Sequence, residues 1–218
     1  MKFMIEWTYV TPKKKEMVLT SDFVSAEEAL ILAEDFEKTG RVKEIIFYDE
    51  RRIAWTKKEL IKLLKELETE PHDIIAYFDG GFDRQTKKAG VGAVVYYKQN
   101  RQPFRLRANA QLQELQSNNE AEYAAFWFLV QQLEQLGVHH LPVTFRGDSH
   151  VVLNQLAGEW PAFADEGGWL DRIEKKLKKL GIIPTYEPIS RKENSEAHHL
   201  ATQALNDIII ASTIQLER

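Results

Sequence analysis

The sequence contains no cysteine. That excludes a disulfide scaffold, a thiolate metal site and a cysteine nucleophile together. It has no apolar run near the roughly 18–20 residues that span a bilayer. Its first residues, Met1-Lys2-Phe3-Met4-Ile5-Glu6, are broken by charge where a signal peptide needs an apolar core. A cytoplasmic protein with no membrane partner is therefore the expectation. A basic excess is missing too. The 29 Lys and Arg stand against 33 Asp and Glu, a net charge of −4. A strongly basic chain would point directly to nucleic acid; here such contact has to come from local patches. What the 218 residues do have is a 44% hydrophobic share, enough for the core of one large domain or two small ones.

Residues 3–10 alternate Phe3, Ile5, Trp7 and Tyr9 with more polar neighbours, the period of a strand. Thr11-Pro12 followed by three lysines reads as a turn, and residues 16–20 as the returning strand. Ser25-Ala26-Glu27-Glu28 and Thr56-Lys57-Lys58-Glu59 are capping boxes. The first opens a helix that Gly40 stops. The second opens a helix carrying Leu60, Ile61, Leu63, Leu64 and Leu67, which ends at Glu70-Pro71. Strands at residues 42–48 and 53–55 lie between them. Residues 1–70 thus read as β-β-α-β-β-α, a small α+β domain with 13 basic and 15 acidic residues and no catalytic motif.

From Asp73 the character changes. Residues 74–78 form a mostly apolar run typical of a central strand. It gives way to Asp79-Gly80-Gly81. Residues 90–98 and 103–110 complete a meander. Ser117-Asn118-Asn119 caps a helix over residues 120–136, stopped by Gly137. A strand at 143–146 ends in Gly147-Asp148-Ser149. Two helices, a strand at 182–189 and a last helix from Asn194 follow. The order is β-β-β-α-β-α-α-β-α over residues 73–212.

Asp79 and Asp148 each stand at the carboxyl end of a predicted strand, where open α/β sheets place their sites. Glu122 lies one turn into the helix after the meander. With the first and fourth strands adjacent and that helix above them, three carboxylates converge. Such a cluster resists desolvation and needs a cation. Oxygen-only ligands suit Mg²⁺ or Mn²⁺. Two ions held about 4 Å apart can activate water and stabilise the leaving oxygen of a phosphodiester. Taken singly, each acid also has an ordinary reading: Asp-Gly is a turn, and Asp148-Ser149 a helix cap.

Order and context make the pattern recognisable. Tyr77-Phe78-Asp79-Gly80-Gly81 resembles the first-strand motif of type 1 ribonuclease H. Ser117-Asn118-Asn119-Glu120-Ala121-Glu122-Tyr123 resembles that family's Thr-Asn-Asn…Ala-Glu-Tyr helix start. Gly147-Asp148-Ser149 with Val151, Val152 and Asn154-Gln155-Leu156 resembles its third motif, and Arg191…Asn194…Glu196-Ala197…Leu200-Ala201 its last. The nearest likeness is to bacterial members with an extra N-terminal domain. The basic handle of some members is absent, since residues 158–168 contain no Lys or Arg.

The resemblance implies an α/β fold with a mixed five-stranded sheet flanked by helices. It implies a metal-dependent endonuclease that cuts the RNA strand of an RNA·DNA hybrid, leaving a 3′-hydroxyl and a 5′-phosphate. Asp79, Glu122 and Asp148 would hold two Mg²⁺ or Mn²⁺ ions. Gly80 and Gly81 would let backbone approach a phosphate. Asn118 and Asn119 would meet the 2′-hydroxyls of the RNA strand, although helix capping also explains them. Arg191 would neutralise a phosphate or form an ion pair.

One departure matters. The family's Ala-Asp-x-Leu-Ala is here Ala197-His198-His199-Leu200-Ala201. His198 would stand as a fourth ligand, favouring Mn²⁺ through its nitrogen, or as a bystander to a three-acid site. Glu196 is not an obvious substitute. The competing function is therefore a hybrid- or RNA-binding protein with a lapsed active site. A DNA exonuclease or resolvase fits Asn118-Asn119 less well. The first seventy residues are compatible with a hybrid binder, a protein-interaction module or a dimerisation surface. Lys13–Lys15, the lysines at 175, 176, 178 and 179, Trp160, Trp169 and His139-His140 read first as surface or packing residues.

Overall fold

The computed structural model describes residues 2–161 and 167–217. The side chain of Leu67, expected on an apolar helix face, lies outside the described residues. The chain divides into two compact units, Met1–Thr69 and Glu70–Arg218.

The first unit runs β1 (Lys2–Val10), β2 (Glu16–Ser25), α1 (Ala26–Lys38), β3 (Val42–Asp49), β4 (Ala54–Trp55) and α2 (Lys57–Thr69). Its antiparallel sheet has the order β2-β1-β3-β4. Phe3, Ile5 and Phe47 are buried with Ala29 and Ala33 of α1 and Leu60 of α2. Trp7 stacks on Phe36 with ring centroids 4.4 Å apart. The helices start where their caps lie. Ser25 Oγ accepts from the Glu28 N–H at 3.2 Å. Thr56 and Glu59 close a reciprocal box: the Thr56 N–H donates to Glu59 Oε2 at 2.8 Å, and the Glu59 N–H to Thr56 Oγ1 at 3.2 Å. Strand β2 extends beyond the expected residue 20 because a bulge opposite Ile5 carries the pairing past Ser21-Asp22. Ser21 Oγ accepts the Ile5 N–H there at 2.9 Å.

The second unit runs β5 (His72–Phe82), β6 (Ala89–Gln99), β7 (Gln102–Leu112), α3 (Asn118–Gln135), β8 (Pro142–Gly147), α4 (His150–Leu156), α5 (Gly167–Leu180), β9 (Ile183–Pro188), α6 (Ser195–Leu205) and β10 (Ala211–Gln215). The sheet order is β10-β7-β6-β5-β8-β9. β5, β6 and β7 form the antiparallel meander, and β5, β8 and β9 are parallel. Tyr123, Phe126 and Leu129 of α3 pack into the main core with Phe78 and Phe145. Leu200 and Ala197 of α6 pack with Val94 in a separate cluster. Gly92 lets α6 lie down on β6: a Cβ there would strike the Ala197 carbonyl and stand 2.8 Å from the Ala201 nitrogen.

Two features depart from the sequence reading. The five expected strands are joined by a sixth, β10, antiparallel to β7. The residue responsible is Asn109, buried on β7. Its Nδ2 donates to the carbonyls of Leu200 (2.8 Å) and Ile208 (3.0 Å), and its Oδ1 accepts the Ile210 N–H at 2.6 Å. That side chain turns the chain leaving α6 back along β7. The second departure is that β5 runs on through Asp79, Gly80 and Gly81, paired to β6 as far as Phe82. Those residues are strand, not turn. Among the described residues no helix is long and apolar enough to cross a membrane.

Candidate active site

The last β5–β8 pair is Tyr77 with Arg146. Asp79 lies two residues further along β5, and Asp148 directly follows the end of β8. Both acids thus emerge where two parallel strands part. Glu122 arrives from the first turns of α3. Gly80 makes that approach possible, because a Cβ there would collide with the Ala121 carbonyl and reach 2.6 Å from the Glu122 nitrogen. The Gly80 N–H hydrogen-bonds the Glu122 carboxylate. Glycine at position 80 thus lets a helix sit on a strand. A Cβ on Gly81 would stand 3.3 Å from Leu205 Cδ1, so this residue faces α6.

Each of the other two acids has a partner on or beside α6. Asp79, 4% exposed, has Oδ2 3.1 Å from His198 Nδ1. His198 Nε2 lies 3.3 Å from a terminal nitrogen of Arg191. A guanidinium offers only donors. Nε2 is therefore the acceptor, and Nδ1 carries the proton that faces Asp79. Both imidazole nitrogens are engaged in a chain from Arg191 to Asp79. Asp148 Oδ1 accepts from Asn194 Nδ2 at 2.6 Å, and the same amide donates to the Phe78 carbonyl at 2.9 Å.

Asn194, quoted within the last motif but given no role by sequence reasoning, is a further residue of the site. It is 1% exposed and ties β5 to Asp148. Its position at the start of a helix reads as an ordinary cap, yet its side chain makes no capping bond. Nothing in the residue order separates the two roles.

Burial, reinforced by the charges of Asp79 and Asp148, pushes the Glu122 carboxyl up to about 9. Burial pushes Asp79 up to about 6; the His198 hydrogen bond opposes that rise and the charge of Asp148 adds to it. Glu122 Oε2 is buried without a hydrogen-bond partner. Among the described residues no three Asp, Glu or His side chains form a ready-made metal cage. Asp79, Glu122 and Asp148 nonetheless lie within electrostatic reach of one another, and His198 reaches the group through Asp79. Like charges resist sharing one point; Asp79 has turned to His198 and Asp148 to Asn194. The donor set still suits a hard divalent cation: carboxylate oxygens that repel one another, one of them buried and unpartnered.

Asn118 and Asn119 are exposed at the start of α3. The capping hydroxyl is that of Ser117, which accepts the Glu120 N–H at 3.1 Å. Glu196 points elsewhere, to Arg105 (3.0 Å), Arg107 (3.2 Å) and the Tyr96 hydroxyl (2.7 Å). His199 is exposed. Lys176 pairs with Glu134, the Trp169 indole donates to Glu120 at 3.3 Å, and His139 Nδ1 donates to the Gly137 carbonyl at 2.6 Å.

Comparison with known proteins places this arrangement. Residues 77–204 match the family model described as "Reverse transcriptase-like". An uncharacterized protein of Bacillus subtilis, YpeP, is 42% identical over 200 residues, which are 91% of this chain and 88% of YpeP. The crystal structure of RNase H1 from the halophilic archaeon Halobacterium salinarum matches with TM-score 0.53 and 25% identity, covering 62% of this chain and 98% of that one. LC11-RNase H1, isolated from compost and solved in complex with an RNA/DNA hybrid, matches with TM-score 0.52 and 22% identity, over 62% of this chain and 98% of its own. With half of its length and all four of its motifs inside the matched region, the chain belongs to the reverse transcriptase-like family of ribonuclease H-like proteins.

Proposed function

We propose that the chain is a metal-dependent endonuclease that hydrolyses the RNA strand of RNA·DNA hybrids. The observation that carries this reading is the placing of Asp79, Glu122 and Asp148, each within the electrostatic reach of the others, where β5 and β8 diverge. The hybrid held by LC11-RNase H1 on the same fold supports the substrate. Asp79, Glu122 and Asp148 would hold one or two Mg²⁺ or Mn²⁺ ions. When bound, such ions supply Lewis acidity toward water and toward the phosphodiester oxygens. Asn194 holds the Asp148 carboxylate in place, Asn118 and Asn119 face the RNA strand, and Arg191 brings positive charge to the edge of the site. His198 holds Asp79 through its Nδ1 proton and serves as a fourth ligand only by giving up one of its two partners.

That last contact favours a second reading, a hybrid-binding protein whose site has lapsed, because the imidazole occupies the carboxylate that the metal requires. Labelled RNA·DNA, RNA·RNA and DNA·DNA duplexes incubated with Mg²⁺ or Mn²⁺ separate the two. Cleavage of the hybrid alone, stronger with Mn²⁺, is expected. His198→Asp should raise Mg²⁺-supported kcat/KM by about tenfold, within the range that a metal's supporting groups command, whereas His199→Asp should change it little. Hybrid binding with no turnover in either metal would establish the lapsed site instead.

We further propose that residues 1–70 and 73–212 are separate domains, the second carrying the nuclease and the first an accessory role toward hybrid, a protein partner or a second copy. Limited proteolysis should release a stable fragment starting near residue 71. A single resistant core spanning Pro71 would contradict that division.

A further inference from the structure

A strand at the edge of a sheet presents unpaired N–H and C=O groups, and proteins that stay apart guard such edges with charge, proline, bulges or brevity. Among the described residues the two sheets have four edges, and three are guarded. β2 carries the bulge at Ser21-Asp22 and the charges of Glu16 and Asp22. β4 is two residues long. β9 contains Pro184 and Pro188, neither of which has an N–H to donate. The fourth edge, β10, has none of these devices. From Ile208 to Leu216 the sequence Ile-Ile-Ile-Ala-Ser-Thr-Ile-Gln-Leu holds no charge, no proline and no glycine. All five strand residues are exposed. Among them Ile214 is 43% exposed, and before them Ile208 and Ile209 are 50% and 60% exposed.

The backbone of β10 also has a direction. The N–H and C=O of Ile210 both bond Asn109 of β7, and the Leu216 N–H donates to the Pro103 carbonyl at 2.8 Å. In an antiparallel ladder alternate residues face alternate neighbours. Ile210, Ser212, Ile214 and Leu216 therefore face β7, while Ala211, Thr213 and Gln215 turn their backbone groups outward. That outward set is symmetric about Thr213.

We propose that β10 is a homodimer edge, pairing antiparallel with β10 of a second copy about a two-fold axis at Thr213. Thr213 then exchanges both of its backbone hydrogen bonds with Thr213 of the other copy, and Ala211 does so with Gln215. Every outward group of the strand is satisfied, and within the paired strands no charge meets a like charge. Ser212 stands opposite Ile214 at the flanking positions. The sheets of the two copies become continuous. A second copy supplies this match by symmetry, which makes it the occupant in preference to an unrelated strand.

Sedimentation equilibrium of the full chain across the micromolar range tests the proposal. The parent is expected at twice its 25.3 kDa chain mass. Thr213→Pro removes an outward N–H and leaves the β7-facing ladder intact. Thr213→Lys sets two cations opposite each other across the axis. Each should weaken association by at least about tenfold while keeping the parent's circular-dichroism spectrum, and the parent's melting temperature should rise with concentration more than either variant's. Amide exchange at Ala211, Thr213 and Gln215 should be slow in the parent and fast in Thr213→Lys, the variant that keeps all three amides. A parent that remains monomeric, as it would if a different protein's strand were the natural occupant, overturns the proposal. So does a dimer that persists in Thr213→Lys.

Discussion

Asp79→Asn, Glu122→Gln and Asp148→Asn should each lower hybrid cleavage by more than about 100-fold. The floor comes from a comparison: removing only the partner that orients a metal ligand costs roughly 10–100-fold, and these acids are the proposed ligands themselves. Asn194→Ala should fall within that lower range, because it releases Asp148 Oδ1 and the Phe78 carbonyl without removing an acid. Glu196→Gln provides the control. Its carboxylate is committed to Arg105, Arg107 and Tyr96, so its loss should leave turnover near the parent's. The measurement is kcat for a labelled hybrid at saturating Mg²⁺ and Mn²⁺, with melting in chelator alongside to separate lost chemistry from lost fold. Parental turnover in any one of the three acid variants would remove that acid from the constellation.

In metal-free buffer, Glu122→Gln should melt higher than the parent at pH 8, and the advantage should shrink as pH falls. The folded protein holds the Glu122 proton up to about 9, against an ordinary 4.5, chiefly because the group is buried. A carboxyl raised in this way contributes stability that is fully present below about 4.5 and is lost as pH rises toward 9. Asp79 acts in the same sense over a narrower window, from 3.8 to about 6. Glutamine mimics the protonated side chain at every pH and so removes the loss. A single unit of displacement corresponds to about 1.4 kcal/mol. With part of the penalty relieved by relaxation, an effect at pH 8 of about 2 kcal/mol, or roughly 4–8 °C in a chain of this size, is expected. Other carboxylates titrate in both states, but the difference between parent and variant isolates this one. Mg²⁺ should raise the parent's Tm more than the variant's, narrowing the gap. Superimposable pH profiles for the two proteins would mean that Glu122 ionises freely in the fold.

Much of this site could be read before the fold was known, and the parts that could not share a cause. Asp79, Glu122 and Asp148 declare themselves because each sits in a local pattern: an apolar run before the first, a capped helix around the second, a strand-to-helix junction at the third. The capping boxes at Ser25 and Thr56 are equally local, and the helices begin beside them. Asn194 and Asn109 are different. Each acts through partners about a hundred residues away, Asn194 on Phe78 and Asn109 on Ile208 and Ile210. A side-chain amide within a strand or at a helix start carries no mark of such a distant bond. Strand β10 is hidden for the same reason: three isoleucines after a helix look like more helix until Asn109 reverses the chain. Gly80 is a subtler case. Its residue type is legible as a close approach, but what approaches is the Ala121 carbonyl, which only the packing of α3 on β5 reveals.

The bonds made by Asn109 also bear on the order in which the protein is made. The carbonyl of Leu200 and the N–H of Ile210 reach an anchor laid down about a hundred residues earlier, and α6 brings Asn194 and His198 to acids carried by β5 and β8. During synthesis the meander and α3 emerge well before α6. Sheet pairing and the Phe126 core can form while Asp79 and Asp148 still lack their partners. Contacts so far apart along the chain are slow to close. A nascent chain therefore has its sheet and the strands bearing both acids before α6 can deliver the groups that fix those acids.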